Sequence, residues 1–169
     1  MQIERGRVVV GVDGSAGSRA ALVHALRDAA RRGAAVDVVA AFESPQYYWV
    51  PAYTAPVLPF EEVREEVRDH TGSMVQEVIG ELASELSPMP PVTVHVVPGS
   101  AQAALLEAAE DADLLVVGSR GHGAVGSLLL GSVSLACTLH APCPITVVHA
   151  ARPKKSEEPA VLHAAPAIS

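Results

Sequence analysis

Lysine is almost missing from this chain of 169 residues: only Lys154 and Lys155 are present, both near the C-terminus. The remainder relies on arginine for positive charge. A Walker-type phosphate loop needs a lysine directly after its last glycine, so that chemistry is excluded. Schiff-base chemistry in the core is excluded on the same ground. Cysteine is nearly as scarce. Cys137 and Cys143 form no C-x-x-C pair and no His/Cys spacing that suggests zinc. Cys137 falls in a helical pattern and reads as buried packing. Aromatics make up 4% of the chain, so the core must be built from Val, Leu, Ala and Ile. Net positive charge is lacking too. A balance of −7 argues against a general nucleic-acid or anionic-membrane binder, so an anionic ligand would have to be held by local groups. No apolar run approaches the ~18–20 residues of a membrane span, and Met1-Gln2-Ile3-Glu4-Arg5 is too polar to open a signal peptide. The expectation is a soluble, cytoplasmic protein.

What is present is a rhythm of short β-branched runs and apolar helical patterns. Arg7-Val8-Val9-Val10-Gly11-Val12 suits a strand buried on both faces. It ends at Asp13-Gly14-Ser15, where Asp13 or Ser15 can cap a helix that Gly33 terminates. Val36 to Phe42 is a second strand. The segment from Glu43 to Pro59 carries four prolines, and all six aromatics lie between Phe42 and Phe60. That segment reads as a hydrophobic flap on the fold, with a cover over a base or a partner surface as alternatives. Phe60 to Leu86 is an amphipathic helix whose opening glutamates, Glu61, Glu62, Glu65 and Glu66, read as a solvated face. Pro88 to Pro91 stops it.

Val92 to Val97 is a third strand, with His95 read as a packed strand residue. Ala101 to Asp111 is a short helix with Leu105 facing inward. Asp113 to Val117 is a fourth strand, Val133 to His140 a helix, and Cys143 to Val148 a fifth strand. Residues 1–149 make one domain and 150–169, rich in Ala, Pro and charge, a flexible tail. Alternation of this kind predicts an α/β fold, an open doubly wound parallel sheet with helices on both faces. The strand order should reverse between the first and fourth strands. Ligands of such sheets bind where that happens.

Those two strands also end in the most unusual loops. Between the fourth strand and the last helix, Gly118, Gly121, Gly123, Gly126 and Gly131 fall in one stretch. A turn alone does not need so many glycines. They are required where the backbone repeatedly takes φ > 0 or where something lies against bare main chain. Successive N–H groups can then form an anion nest. Ser132 stands where a helix N-cap belongs, which would aim the next helix's free N–H groups at the same spot. The stretch reads as a phosphate cradle, with a long surface loop as the alternative. Asp13, at the end of the first strand, is a turn-former or a ligand contact.

Three segments resemble the universal stress protein family. Gly118-Ser119-Arg120-Gly121, nine residues His122 to Leu130, then Gly131-Ser132 match the glycine pattern of its nucleotide-binding branch. Val10 to Ser15 resembles its first strand and turn, and Ala141 to Val148 its last strand. The resemblance implies five strands in the order 3-2-1-4-5 and a bound ATP; a Mg²⁺ with it is a separate expectation, Asp13 being the carboxylate that would approach the ion. The resemblance places Asp13 on the adenosine side, in the turn that includes Ser15, with Gly11, Val12 and Ala41 near the base. Gly118, Ser119, Arg120, Gly121, His122 and Gly123 would wrap phosphates and ribose. Gly131, Ser132 and Val133 would complete the cradle. It also implies a homodimer formed through the last strand.

Chemically the cradle offers neutral donors and one cation, Arg120, which suits holding ATP with little or no hydrolysis. His122 reads as a loop residue rather than a general base. Two rivals are an adenine-nucleotide α-hydrolase, whose Ser-Gly-Gly loop Val12 to Ser15 matches poorly, and a dimeric interaction protein that needs no nucleotide.

Overall fold

The computed structural model describes residues 6–43, 59–121 and 130–150. The chain runs β1 (Arg7–Gly11), α1 (Ala16–Arg32), β2 (Ala35–Phe42), α2 (Phe60–Leu82), β3 (Val92–Pro98), α3 (Ala101–Ala108), β4 (Leu114–Gly118), α4 (Ser132–His140) and β5 (Ile145–Val148). All strands pair in parallel in the order β3-β2-β1-β4-β5. Val8, Val9 and Val10 of the central β1 are fully buried. Alternate residues therefore serve two cores. Val8 and Val10 share one core with Leu22 and Leu26 of α1 and Val75 and Val78 of α2. Val9, with Val39, Leu115 and Val117, meets Leu105 of α3 and Cys137 of α4 on the other face. Burial raises the Cys137 thiol above its ordinary pKa.

This sorting of helices creates the site. Crossovers between parallel strands are right-handed, so the chain must change direction of travel to put helices on both faces. It does so at β1: α1 and α2 cover one face, α3 and α4 the other. The connections leaving β1 and β4 diverge, and a crevice opens between them at the carboxyl ends of the strands.

Several expectations change at element ends. Apolar periodicity carries α2 to Leu86, but the helix stops at Leu82. The N–H groups of Glu85 and Leu86 both turn back to Leu82 O, at 2.9 and 2.8 Å. Leu86 still packs against the core, so the turn satisfies the same pattern. Likewise α3 ends at Ala108 rather than Asp111. β5 begins only at Ile145, after Pro144, whose carbonyl accepts from Leu115 N–H at 2.9 Å. His95 is not packed. It lies exposed on the edge strand β3 and its Nε2 pairs with Asp37 Oδ1 at 3.3 Å. Burial raises the Asp37 carboxyl, but hydrogen bonds from Arg7 and His95 outweigh it and hold the group below the usual carboxylate range. Segment 44–58, with Tyr47, Tyr48, Trp49 and Tyr53, and the stretch from 151 onward lie outside the described residues; the flanking rings of Phe42 and Phe60 sit 5.3 Å apart. Among the described residues no helix is long and apolar enough to cross a membrane.

Candidate functional site

A cavity of about 790 Å³ opens at the ends of β1, β2 and β4, beneath α3 and the start of α4. Its size falls within the ~300–1,000 Å³ of small-molecule sites. Gly11, Val12, Asp13, Ala41, Gly118, Arg120, Gly121, Gly131, Ser132 and Val133 all line it. The sequence had marked each of these. Ser15 and Ser119 do not line it, and His122 and Gly123 lie outside the described residues.

The floor comes from β1. A Cβ on Gly11 would lie 2.8 Å from Leu105 Cδ1, so the bare β1 main chain leaves room for the buried Leu105 side chain of α3. Val12 N–H donates to Val39 O at 3.0 Å and carries the strand geometry one residue further. Asp13 Oδ1 then accepts Ser15 N–H at 3.0 Å, Gly14 takes φ 85°, and Ser15 Oγ caps α1 by accepting Ser18 N–H at 3.2 Å. Ser15 is thus the helix cap and faces a smaller groove beside Arg19 and His70.

The opposite wall is the chain leaving β4. Gly118, Gly121 and Gly131 all avoid φ > 0; among the described glycines only Gly14, Gly33 and Gly99 adopt it. Of the two reasons for such glycines, repeated left-handed backbone does not apply at these positions, and close approach to main chain does. A Cβ on Gly118 would lie 2.7 Å from Gly17 C and 2.8 Å from Gly17 O. One on Gly17 would lie 2.5 Å from Arg120 O, and one on Gly121 would strike the Asp13 carboxylate. The glycines let β4 and its continuation lie directly on the first turn of α1, with main chain bare toward the cavity.

Ser119 sits behind this wall, buried. Its N–H donates to Val148 O at 2.7 Å, and its carbonyl accepts from Gly131 N–H at 2.8 Å and from Ser134 Oγ at 3.0 Å. These bonds tie the start and finish of the glycine stretch together. They also correct the expected cap: Gly131, extended at φ −76° and ψ 167°, is the N-cap of α4, no side chain caps the helix, and Ser132 is its first residue. The Gly131 N–H is held by Ser119, so the extended residue falls one position earlier than the Ser rule suggests.

The sequence does not mark Ser18, Val39, Glu43, Ala101, Leu105, Val117 or Ser134 for the site, and they line the cavity too. Val39, Ala41 and Glu43 alternate along β2 and its extension, and all three line the cavity; period-two alternation was the signal for Glu43. Ser134 belongs to the wall as well, two residues beyond the marked Ser132. Arg120 is the one cationic side chain among the described lining residues, which also include the carboxylates Asp13 and Glu43. Among the described residues no group of three or more His, Cys, Asp or Glu is placed to hold a metal ion by itself.

The open 3-2-1-4-5 parallel sheet, with a glycine-walled crevice at its switch point, defines an α/β protein. The chain belongs to the universal stress protein family, whose family model matches residues 4–149. A universal stress protein of Mycolicibacterium smegmatis is 35% identical over 144 residues, covering 84% of this chain and 47% of that relative. The chain thus spans about half the length of that protein. A universal stress protein solved in complex with cAMP is 28% identical, with a TM-score of 0.61 over 86% of this chain and 98% of the other. The Archaeoglobus fulgidus universal stress protein solved in complex with dAMP shares the fold at 20% identity and a TM-score of 0.61, over 87% and 99% of the two chains.

Proposed function

We propose that this protein binds an adenine nucleotide, ATP with Mg²⁺, in the cavity at the ends of β1, β2 and β4, and holds it with little or no hydrolysis. The observation that carries the reading is the glycine wall. Gly118, Gly121 and Gly131 line the cavity without side chains, Asp13 lies against the bare face of Gly121, and Arg120 shares the lining. The N-terminus of α4 adds helical N–H groups that have no intrahelical acceptor, a ready anion site. The adenine nucleotides bound in two related structures, cAMP in one and dAMP in the other, support the same class of ligand. Mg²⁺ is commonly held by one or two carboxylates plus phosphates, a mode that Asp13 fits. Bound Mg²⁺ would neutralise phosphate charge. One guanidinium among two carboxylates gives little further charge stabilisation to a transferring phosphoryl group, hence holding rather than turnover.

The second half of the proposal is a homodimer through β5. This strand is a sheet edge, and on the neighbouring α4 Leu135 and Leu139 are 48% and 67% exposed. Light scattering is expected to give twice the monomer mass for the wild type and the monomer mass for Leu139→Asp. A monomeric wild type at micromolar concentration refutes the dimer.

For the ligand, thermal melts with ATP and Mg²⁺ are decisive. A ligand at 100 times its Kd stabilises by about 2.7 kcal/mol, which is roughly 5–11 °C for a chain of this size. No shift with ATP, AMP or cAMP at millimolar concentration would refute the reading.

A further inference from the structure

Thr71 interrupts the apolar stripe of α2. Val67, Met74, Val75 and Val78 face the α1–α2 core at helical spacing, and Thr71 falls in the same stripe, 4% exposed. A valine of the same shape would fit that position without a hydroxyl. A buried helical threonine can turn its hydroxyl onto the carbonyl four residues back, as Thr138 does to Ser134 O at 2.7 Å. Thr71 makes no such bond, and among the described residues its hydroxyl has no hydrogen-bond partner. A buried polar group in that state lowers stability unless something else satisfies it.

That hydroxyl lines a second cavity, of about 400 Å³, between α2 and the ends of β1 and β2. We propose that this cavity is a separate small-molecule site for a neutral heteroaromatic ring with an amino group beside a ring nitrogen, hydrogen-bonded to Thr71 Oγ1. The inference is independent of the nucleotide reading. Val39, Leu105 and Val117 of the larger cavity belong to the α3–α4 core, whereas Ala40 and Val67 of this one belong to the α1–α2 side. The two meet over the strand ends, where Val12, Asp13 and Ala41 line both.

The lining selects the ligand class. Val12, Ala40, Ala41 and Val67 give apolar walls against which a flat ring buries surface. The volume falls within the ~300–1,000 Å³ of small-molecule sites. Glu66 and His70 lie one turn apart on α2, both exposed, and form the rim. The described lining includes the Glu66 carboxylate and no Arg or Lys, which disfavours an anion. A full charge at the buried Thr71 end is unfavourable as well. A hydroxyl both donates and accepts. A ring nitrogen beside an amino group presents an acceptor and a donor on one edge, so a single ligand edge satisfies Thr71 in both senses.

Amide NMR of the full chain with millimolar 2-aminopyrimidine tests this, with benzoate as the anionic ring of similar size. The neutral probe is expected to shift the amides of Val67, His70 and Thr71 saturably and to leave Gly118, Gly121 and Gly131 in place; benzoate is expected to leave the α2 amides unmoved. Thr71→Val should melt at or above the wild type, because it removes a hydroxyl without a partner, yet bind the probe about ten-fold more weakly. Thr71→Ser keeps the hydroxyl and should retain binding. The proposal is overturned by unmoved α2 amides in the wild type, by equal shifts with benzoate, or by unchanged affinity in Thr71→Val. A Thr71→Val protein that melts below the wild type overturns it too, since the hydroxyl would then already be satisfied. Shifts confined to Gly118, Gly121 and Gly131 place the probe in the larger cavity and likewise refute the second site.

Discussion

Gly118→Ala should destabilise the protein itself, whatever it does to a ligand. The added methyl would lie 2.7 Å from Gly17 C, 2.8 Å from Gly17 O and 3.0 Å from Ser18 N. Ordinary contacts begin near 3.4 Å, so β4 and the first turn of α1 must part by several tenths of an ångström. All three obstructing atoms are backbone, so no rotamer change relieves the clash. Nor can β4 yield easily, since it is paired on both sides, with β1 and with β5. Overpacking of this kind costs about 1–3 kcal/mol, and the rigid partners argue for the upper end. For a chain of this length ~3 kcal/mol lowers Tm by roughly 6–12 °C. Urea melts should move the midpoint to lower denaturant with m unchanged. Gly131→Ala is the matched control. Its methyl meets nothing closer than 3.7 Å, and only the loss of a glycine N-cap, about 1 kcal/mol or less, is expected. If Gly118→Ala melts within 2 °C of the wild type, the close seating of β4 on α1 is wrong. The same numbers make Gly131→Ala, not Gly118→Ala, the useful probe of ligand binding.

Acid should unfold the protein through Asp28 and Asp37. Burial raises the Asp28 carboxyl, but hydrogen bonds from Arg31 and Arg32 outweigh it and hold it below its ordinary value, as Arg7 and His95 do for Asp37. The unfolded carboxyls therefore bind protons first. The stability from both groups is complete above the unfolded pKa near 3.9 and is lost as pH falls through the lower folded values. Urea midpoints measured from pH 6 to pH 2.5 should fall below about pH 4, less steeply in Asp28→Asn; identical slopes would discount the Asp28 cluster. Leu22→Ala, at a fully buried position between α1 and the sheet, should cost about 2–5 kcal/mol by chemical denaturation. The Cys137 thiol, fully buried and raised by burial, should resist a thiol reagent until the protein is unfolded, whereas a stoichiometric native reaction would contradict its burial.

The layered sheet could be read in advance because its signal is redundant. Three consecutive valines at Val8–Val10 demand burial on both faces, and the helices between strands announce parallel pairing. Element ends were less legible because local bonding decides them. Leu86 satisfies the helical period from a turn, and Gly131 displaces Ser132 from the cap because Ser119 holds its N–H. The cavity wall was legible where type and position agree, as at Asp13, Gly121 and Arg120. Composition could not distinguish a glycine needed for left-handed backbone from one needed for close approach, and at Gly118 only the position of α1 settles that. Glu43 was hidden by the proline-rich segment that follows it, although the alternation from Val39 already pointed to it.

The bonds at Ser119 have an architectural corollary. Its carbonyl receives Gly131 N–H and the Ser134 hydroxyl, so the chain departs from the sheet and returns to it at one knot. The end of β4, the last residue of β5 and the N-cap of α4 are thereby fixed to one another by main-chain bonds, so strain at any one of them is felt at the other two.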